Sequence, residues 1–379
     1  MVGNPFIPQN LVGRQTELRQ VSKILAADGD LVLAGVPGIG RRTLVRWAAK
    51  ACGARVIEID CLRATDYRRF LELLAEGLIA AFESPVELAL IQRWSQTQPL
   101  ILQKLPTGRT RLVWQFTAGK EWALFQALLT LPQVLAEWLD CRVVLVFQNF
   151  PHLRSWDRHS KWEQHLRQEI QQQSRVSYAL IATVAEHWVD RSDLQMVSLG
   201  PLADQDLAPW LERAIAAESL KFEPEALSLF LSHVQGHFRD TIALLQRVWL
   251  DIKTRDRAGE WQPQLKPPTS NLLPPISNLI QSHHIHRSTL ALVEDLSVTF
   301  ESLILLLPHS QVRVLESLAL DPTDSPHARE YIQKHHLSRG GGLQGALASL
   351  EQKGLVYGPE YRYRIALPLL AFWLKYRLS

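Results

Sequence analysis

Two rhythms of apolar residues run along the chain. Leu18, Val21, Ile24 and Leu25 recur at a 3.6-residue period and predict a helix after an N-terminal turn. The run 31–34 (LVLA) predicts a buried strand, and 55–60 and 178–184 read as further strands. Residues 142–147 (RVVLVF) are apolar enough for a central strand of a parallel sheet. Helical patterns cover 65–82, 120–138 and 156–173, the last with Trp162, Leu166 and Ile170 inward. Between them, Pro85, Pro99, Pro106 and Gly108 break the pattern over 84–119, where only 111–116 alternates; an insertion containing a hairpin is expected. Residues 197–202 predict an edge strand and turn, with helices following at 204–217, 224–233 and 238–251.

The linker 254–286 is polar and proline-bearing (Pro263, Pro267, Pro268, Pro274, Pro275). His283, His284 and His286 lie at its end, too few and without nearby cysteines for a metal cluster, so a linker or helix start is the reading taken. Beyond a helix at 288–307, the remainder resembles a winged helix-turn-helix. Its helices are expected at 312–320, 328–335 and 343–353, its two-stranded wing at 354–357 and 361–365 around Gly358-Pro359, and a closing helix at 369–376.

Between the first strand and its helix lies Gly35-Val36-Pro37-Gly38-Ile39-Gly40, a glycine loop in the strand–loop–helix context of a phosphate-binding P-loop. Its backbone N–H groups and the helix N-terminus would face an anion. Such a loop should end in Lys and then Ser or Thr, one for the β/γ-phosphates and one for Mg²⁺. Arg41 and Arg42 stand there instead, and Thr43 is one residue late, about 100° around the helix. An acidic pair should close the 142–147 strand, and Gln148 and Asn149 occupy its place without charge. Loss of hydrolysis is therefore expected, with no catalytic residue assigned. Guanidinium groups at 41 and 42 would pair with phosphate without a metal; the opposite expectation is that they fill the pocket.

From Asn4 to the end, the chain resembles the archaeal-type ATPases of the STAND/AAA+ group, relatives of the origin-recognition AAA+ proteins. The resemblance rests on Val12-Gly13-Arg14 before the first helix, the Gly35–Gly40 loop, the strand ending at Gln148-Asn149, and the order of the later segments. It implies an α/β parallel-sheet P-loop core (1–200), an all-α lid (201–253), the linker (254–286) and a winged-helix domain (287–379). It also implies nucleotide contacts from Val12, Gly13, Arg14, Gly35, Pro37, Gly38, Gly40, Arg41, Arg42 and Thr43. Thr183 would be a polar sensor at a strand end, Arg239 a second sensor in Gly236-His237-Phe238-Arg239, and Arg167 or Arg175 an arginine finger. ATP or ADP is the implied ligand, with Mg²⁺ in question.

Winged helices read DNA with polar or basic residues on the third helix and wing. The candidates are Arg339, Gln344, Lys353, Arg362 and Arg364, but LQGALASLEQK offers little to read bases, so phosphate or protein contact fits better. Composition changes this little. A net charge of +3 names no nucleic-acid partner, and Cys52, Cys61 and Cys141 lack paired spacing, as in a reducing cytoplasm. No apolar run reaches membrane-spanning length and no signal-peptide pattern opens the chain. The twelve tryptophans are expected in the core or at interfaces. A regulatory or adaptor subunit is the expected function, with a competent ATPase subunit or an effector as protein partner. A non-canonical ATPase and a DNA-binding regulator are the alternatives.

Overall fold

The computed structural model describes residues 5–106, 108–114, 120–170, 174–184, 194–260, 278–338 and 340–378. These divide into two compact units, one holding Arg14–Gly35 and Arg41–Leu199, the other the residues up to Gly13, Val36–Gly40 and those from Gly200 on.

The first unit is a parallel sheet covered by helices. Helix α1 (Gln15–Ala26) buries Val21, Ile24 and Leu25. It leads into the fully buried β1 (Leu31–Ala34), then α2 (Arg41–Ala51) and β2 (Arg55–Asp60). Helix α3 (Tyr67–Ala81) is capped by Asp66, which accepts from the Arg69 N–H. The proline-broken stretch begins with an unforeseen helix, α4 (Pro85–Ser95). Its cause is legible afterwards: Ser84 and Glu87 form a capping box and Pro85 takes the first turn. The expected hairpin follows as β3 (Ile101–Lys104) against β4 (Thr110–Val113), and 115–119 lie outside the described residues.

Helix α5 (Glu121–Trp138), β5 (Val143–Gln148), α6 (Lys161–Ile170), β6 (Val176–Ala182) and β7 (Gln195–Ser198) complete this unit. The sheet order is β2-β5-β6-β1-β7, parallel throughout, with Asp60 opposite Gln148 and Leu31 opposite Ala179. The helix expected from 156 starts only at Lys161. The Asp157 carboxylate collects the N–H groups of Lys161, Trp162 and Glu163 at 2.9–3.1 Å, ending a short 3₁₀ turn and nucleating α6.

At the N-terminal end of the central strands, Asp30 precedes β1 and accepts from the Tyr178 N–H at 2.7 Å. Burial pushes its carboxyl up to about 7 from 3.8, against the lowering effect of that bond. A raised folded-state pKa stabilises the native form at low pH, and this contribution is lost as pH rises from about 4 through 7. Three units correspond to about 4 kcal/mol, and partial solvent screening leaves roughly 2. Asp30→Asn should therefore unfold like wild type in urea at pH 4 but be more stable by roughly that amount at pH 8.5.

The second unit contains two hydrophobic clusters. Helices α7 (Asp204–Ala216), α8 (Pro224–Val234) and α9 (Phe238–Glu260) pack around Leu207, Leu211, Phe230, Leu244 and Val248, which are inaccessible to solvent. Strand β8 (Lys221–Phe222) pairs in parallel with β9 (Leu279–Ile280). Helix α9 thus outruns its expected end at 251, and α10 (Ser282–Leu305) begins before its expected start at 288. Residues 254–260 and 282–286, expected in the linker, are helical, and 261–277 lie outside the described residues. His284 Nδ1 accepts the Gln281 N–H, a capping contact at the start of α10.

The winged helix follows as α11 (His309–Leu320), α12 (Arg329–Lys334), α13 (Gly341–Gln352), β10 (Val356–Tyr357), β11 (Arg364–Ile365) and α14 (Pro368–Leu378). Leu315, Leu343, Leu350 and Leu370 fill its core. The wing strands are shorter than expected, because Pro359–Tyr361 forms a 3₁₀ turn and Arg362 sits at φ +60°.

Candidate functional site

In the sheet unit, Arg41 opens α2 and is buried. Its Nη1 donates at 2.7 Å to the carbonyl of Ala182, the last residue of β6, which also accepts the Gly35 N–H at 3.2 Å. Burial lowers the guanidinium pKa to about 10, so it stays charged at neutral pH. Thr183, the expected polar sensor, is half-buried one residue beyond that acceptor, and Thr43 is exposed.

Arg42 turns elsewhere. Its Nε donates to Glu58 Oε2 at 2.9 Å, and Arg46, one turn on, grips the same carboxylate. Gln148 Nε2 adds a third donor at 3.1 Å. Burial alone would raise the Glu58 carboxyl, but the hydrogen bonds and charges of Arg46 and Arg42 outweigh it and hold it below its ordinary value. Asn149, at φ +53°, donates from Nδ2 to Asp60 Oδ1 at 3.0 Å. The two carboxylates beside the end of β5 thus belong to the neighbouring strand; both oxygens of Glu58 are held by donors, and Asp60 is held through Oδ1 by Asn149 and the Leu62 N–H. Arg42 stands at the hydroxyl position of the motif and the amides of Gln148 and Asn149 at its carboxylate positions.

Arg14 adopts a left-handed conformation before α1, is buried, and pairs with Glu17 at 2.9 Å. The arginine-finger candidates are also engaged, Arg167 with Glu163 and Arg175 with Asp140 at 2.6 Å.

In the second unit, the tip of the glycine loop is held by the start of α9. Gly38 and Gly40 have φ +92° and +98°. The Arg239 N–H donates to the Gly38 carbonyl at 3.0 Å, and His237 Nε2 lies 2.8 Å from the Pro37 carbonyl. A carbonyl only accepts, so Nε2 carries the proton. A Cβ on Gly38 would lie 2.6 Å from His237 Nε2, which is why glycine is required there. The Arg239 side chain is exposed and has no hydrogen bond or ion pair among the described residues. His237, 1% exposed, went unrecognised in the sequence, although it stands inside the very GHFR stretch that pointed to Arg239. Val12 packs with the lid residues Leu202 and Leu207, and a Cβ on Gly13 (φ +60°) would lie 3.0 Å from Asp206 and Leu202.

The wing candidates are used internally. Lys353 donates to Gln311 Oε1 at 2.9 Å and Ser349 Oγ at 2.7 Å, and Arg362 to the Pro322 carbonyl at 2.7 Å. Arg364 donates to Gln235 Oε1 at 3.2 Å and covers the Tyr357 ring. Gln344 is exposed on α13, and Arg339 lies outside the described residues.

A five-stranded parallel sheet with a glycine loop after β1, a helical lid and a winged helix define a P-loop nucleotide-binding fold of the AAA+ type. The chain belongs to the AAA ATPase domain family, whose model matches residues 10–315, and a probable winged helix domain model matches 298–376. No curated protein matches the sequence. Among solved structures, a Walker-type ATPase of Pyrococcus abyssi is 15% identical with TM-score 0.59, covering 96% of each chain. The ADP form of the Aeropyrum pernix ORC2 protein is 13% identical with TM-score 0.53, covering 99% of this chain and 98% of that one. The ORC1 protein of the same organism, solved with DNA, is 15% identical with TM-score 0.50, covering 99% and 97%. These likenesses are of fold. Among the described residues, no helix is long and apolar enough to cross a membrane.

Proposed function

We propose that this chain is a regulatory or adaptor member of its family that binds ATP or ADP weakly or without Mg²⁺ and no longer hydrolyses it. The observation that carries this reading is the end of β5: amides stand at the metal and base positions, and both are spent on Glu58 and Asp60. An amide cannot take a proton from water at neutral pH, and it adds no charge to a metal shell. Arg41 replaces the loop lysine with a cation suited to bidentate phosphate pairing. Arg42, tied to Glu58, contributes little. The output passes to a protein partner, either a competent ATPase subunit or an effector.

Calorimetric titration of ATP and ADP, with Mg²⁺ and then with EDTA, tests this. Binding should survive EDTA and weaken roughly 100-fold in Arg41→Ala, the worth of a charge-assisted pair. Phosphate release that needs Mg²⁺ and vanishes in Arg41→Ala would establish a non-canonical ATPase instead. Absence of binding in every condition would reduce the loop to a scaffold. DNA contact through the winged helix is the second reading, favoured by the match to a winged-helix model and by the relative solved with DNA. The internal bonds of Lys353, Arg362 and Arg364 weigh against it. Duplex affinity falling steeply with salt and lost in Arg362→Ala/Arg364→Ala would restore it.

A further inference from the structure

His237 and Asp240 do more than fill space at the start of α9. His237 Nε2 donates to the Pro37 carbonyl in the glycine loop. Its other ring nitrogen, Nδ1, accepts the Asp240 N–H at 3.3 Å in the neutral ring and, when protonated, pairs with Asp240 Oδ1 at 3.0 Å. The second Asp240 oxygen, Oδ2, accepts the Leu369 N–H at 3.4 Å. Leu369 is the second residue of α14, after Pro368, so this N–H belongs to the orphan donors of a helix N-terminus. A carboxylate there is also favoured by the positive end of the helix. A continuous line of polar contacts therefore runs from the phosphate loop through an imidazole and a carboxylate to the last helix of the winged domain. Both side chains are enclosed, at 2% and 13% exposure, so water competes poorly for these contacts. The same face carries a second lid–wing contact, from Arg364 to Gln235, two residues before His237.

We propose that His237 and Asp240 form a positioning dyad that transmits the state of the phosphate loop to the winged helix, by fixing the carboxylate that caps α14. This deepens the nucleotide-binding reading and rests on it for its signal, but the mechanical link itself needs no ligand. A loop that shifts its Pro37 carbonyl on binding phosphate changes the hold on the imidazole, which releases or tightens Asp240 on α14. Arg239 senses phosphate directly; His237 reports the loop backbone.

The test is hydrogen exchange by mass spectrometry on the full chain, following the peptide that begins α14. Without nucleotide, Asp240→Ala should speed exchange there about tenfold. His237→Ala should also speed it severalfold, although among the described residues no hydrogen bond or ion pair joins His237 to α14. His237→Gln retains an N–H to reach Pro37 but leaves nothing at the Nδ1 position, so it should keep the loop protected while α14 loosens. A merely structural role would raise exchange through α9 and stop there. Unchanged α14 exchange in His237→Ala would overturn the dyad. With ATP or ADP, wild-type α14 exchange should shift, and the shift should vanish in His237→Gln. Nucleotide that binds calorimetrically yet leaves α14 unmoved overturns the transmission. If no nucleotide binds, the functional reading fails and the ligand-free comparison alone decides the dyad.

Discussion

Gly236→Ala should cost the lid roughly 3 kcal/mol of stability, the sum of backbone strain and a contact that cannot relax. Gly236 has φ +74°, where an alanine Cβ is strained whatever its surroundings. That Cβ would also stand 2.2 Å from the Leu202 carbonyl oxygen and 2.7 Å from the Leu202 N–H nitrogen. Both are backbone atoms, so no rotamer change clears them. The Leu202 N–H already donates to the Gly236 carbonyl at 3.0 Å, which pins the two segments together. Urea unfolding checks the magnitude, with Gly345→Ala as the control. Gly345 lies within α13 with nothing in reach of an added Cβ, so alanine there should be neutral or stabilise by up to about 1 kcal/mol. Because Gly236 delivers His237 and Arg239 to the loop, its replacement should also weaken any nucleotide binding; equal stability of the two variants would remove this account of the turn.

The parallel core was legible because its strands are short apolar runs and its loop is bounded by glycines whose positive φ values leave few alternatives. β5 shows why: VVLVF admits no solvent-facing side, and only a strand covered on both faces tolerates it. Failures arose where local polar chemistry overrides periodicity. The three N–H groups gathered by Asp157 cut short a helix that the apolar spacing extended to 156, and the Ser84–Glu87 box made a helix from residues that the prolines seemed to forbid. At the site, the absent charges at 148 and 149 were visible as letters. Their use was not, since it depends on a register that sets Asp60 against Gln148. Arg42 illustrates the same limit: its place in the motif pointed to phosphate, and the packing of α2 on β2 gave it Glu58. His237 was hidden for a different reason. A single histidine has no period, and its role exists only once the start of α9 meets the loop carbonyl.

Trp162→Ala should be among the most damaging single substitutions in the sheet unit, at about 4 kcal/mol. Trp162 is 8% exposed and stacks on Tyr67 and Trp122 with centroids 5.4 and 4.5 Å apart. Phe125, Trp156 and Phe70 meet it at 5.0, 6.1 and 6.5 Å. Truncation removes the ring at the centre of a cluster whose other rings are held by their own segments, so the cavity cannot close. Aromatic pairs add to the lost burial. Trp162→Phe, which keeps a ring, should cost roughly half as much, and Trp138→Ala, at a 44% exposed position, less than about 1 kcal/mol. The consequence reaches the site, because Phe70 also packs on Phe147 at 6.1 Å, and Phe147 on Phe150 at 6.4 Å. Those two phenylalanines bracket Gln148 and Asn149. Loosening the cluster should therefore free the amides from Glu58 and Asp60 before the unit unfolds, seen as faster exchange at the end of β5 in mild urea. A cost below 1 kcal/mol, or β5 exchange that rises only with global unfolding, would separate the aromatic cluster from the strand end it is argued to hold.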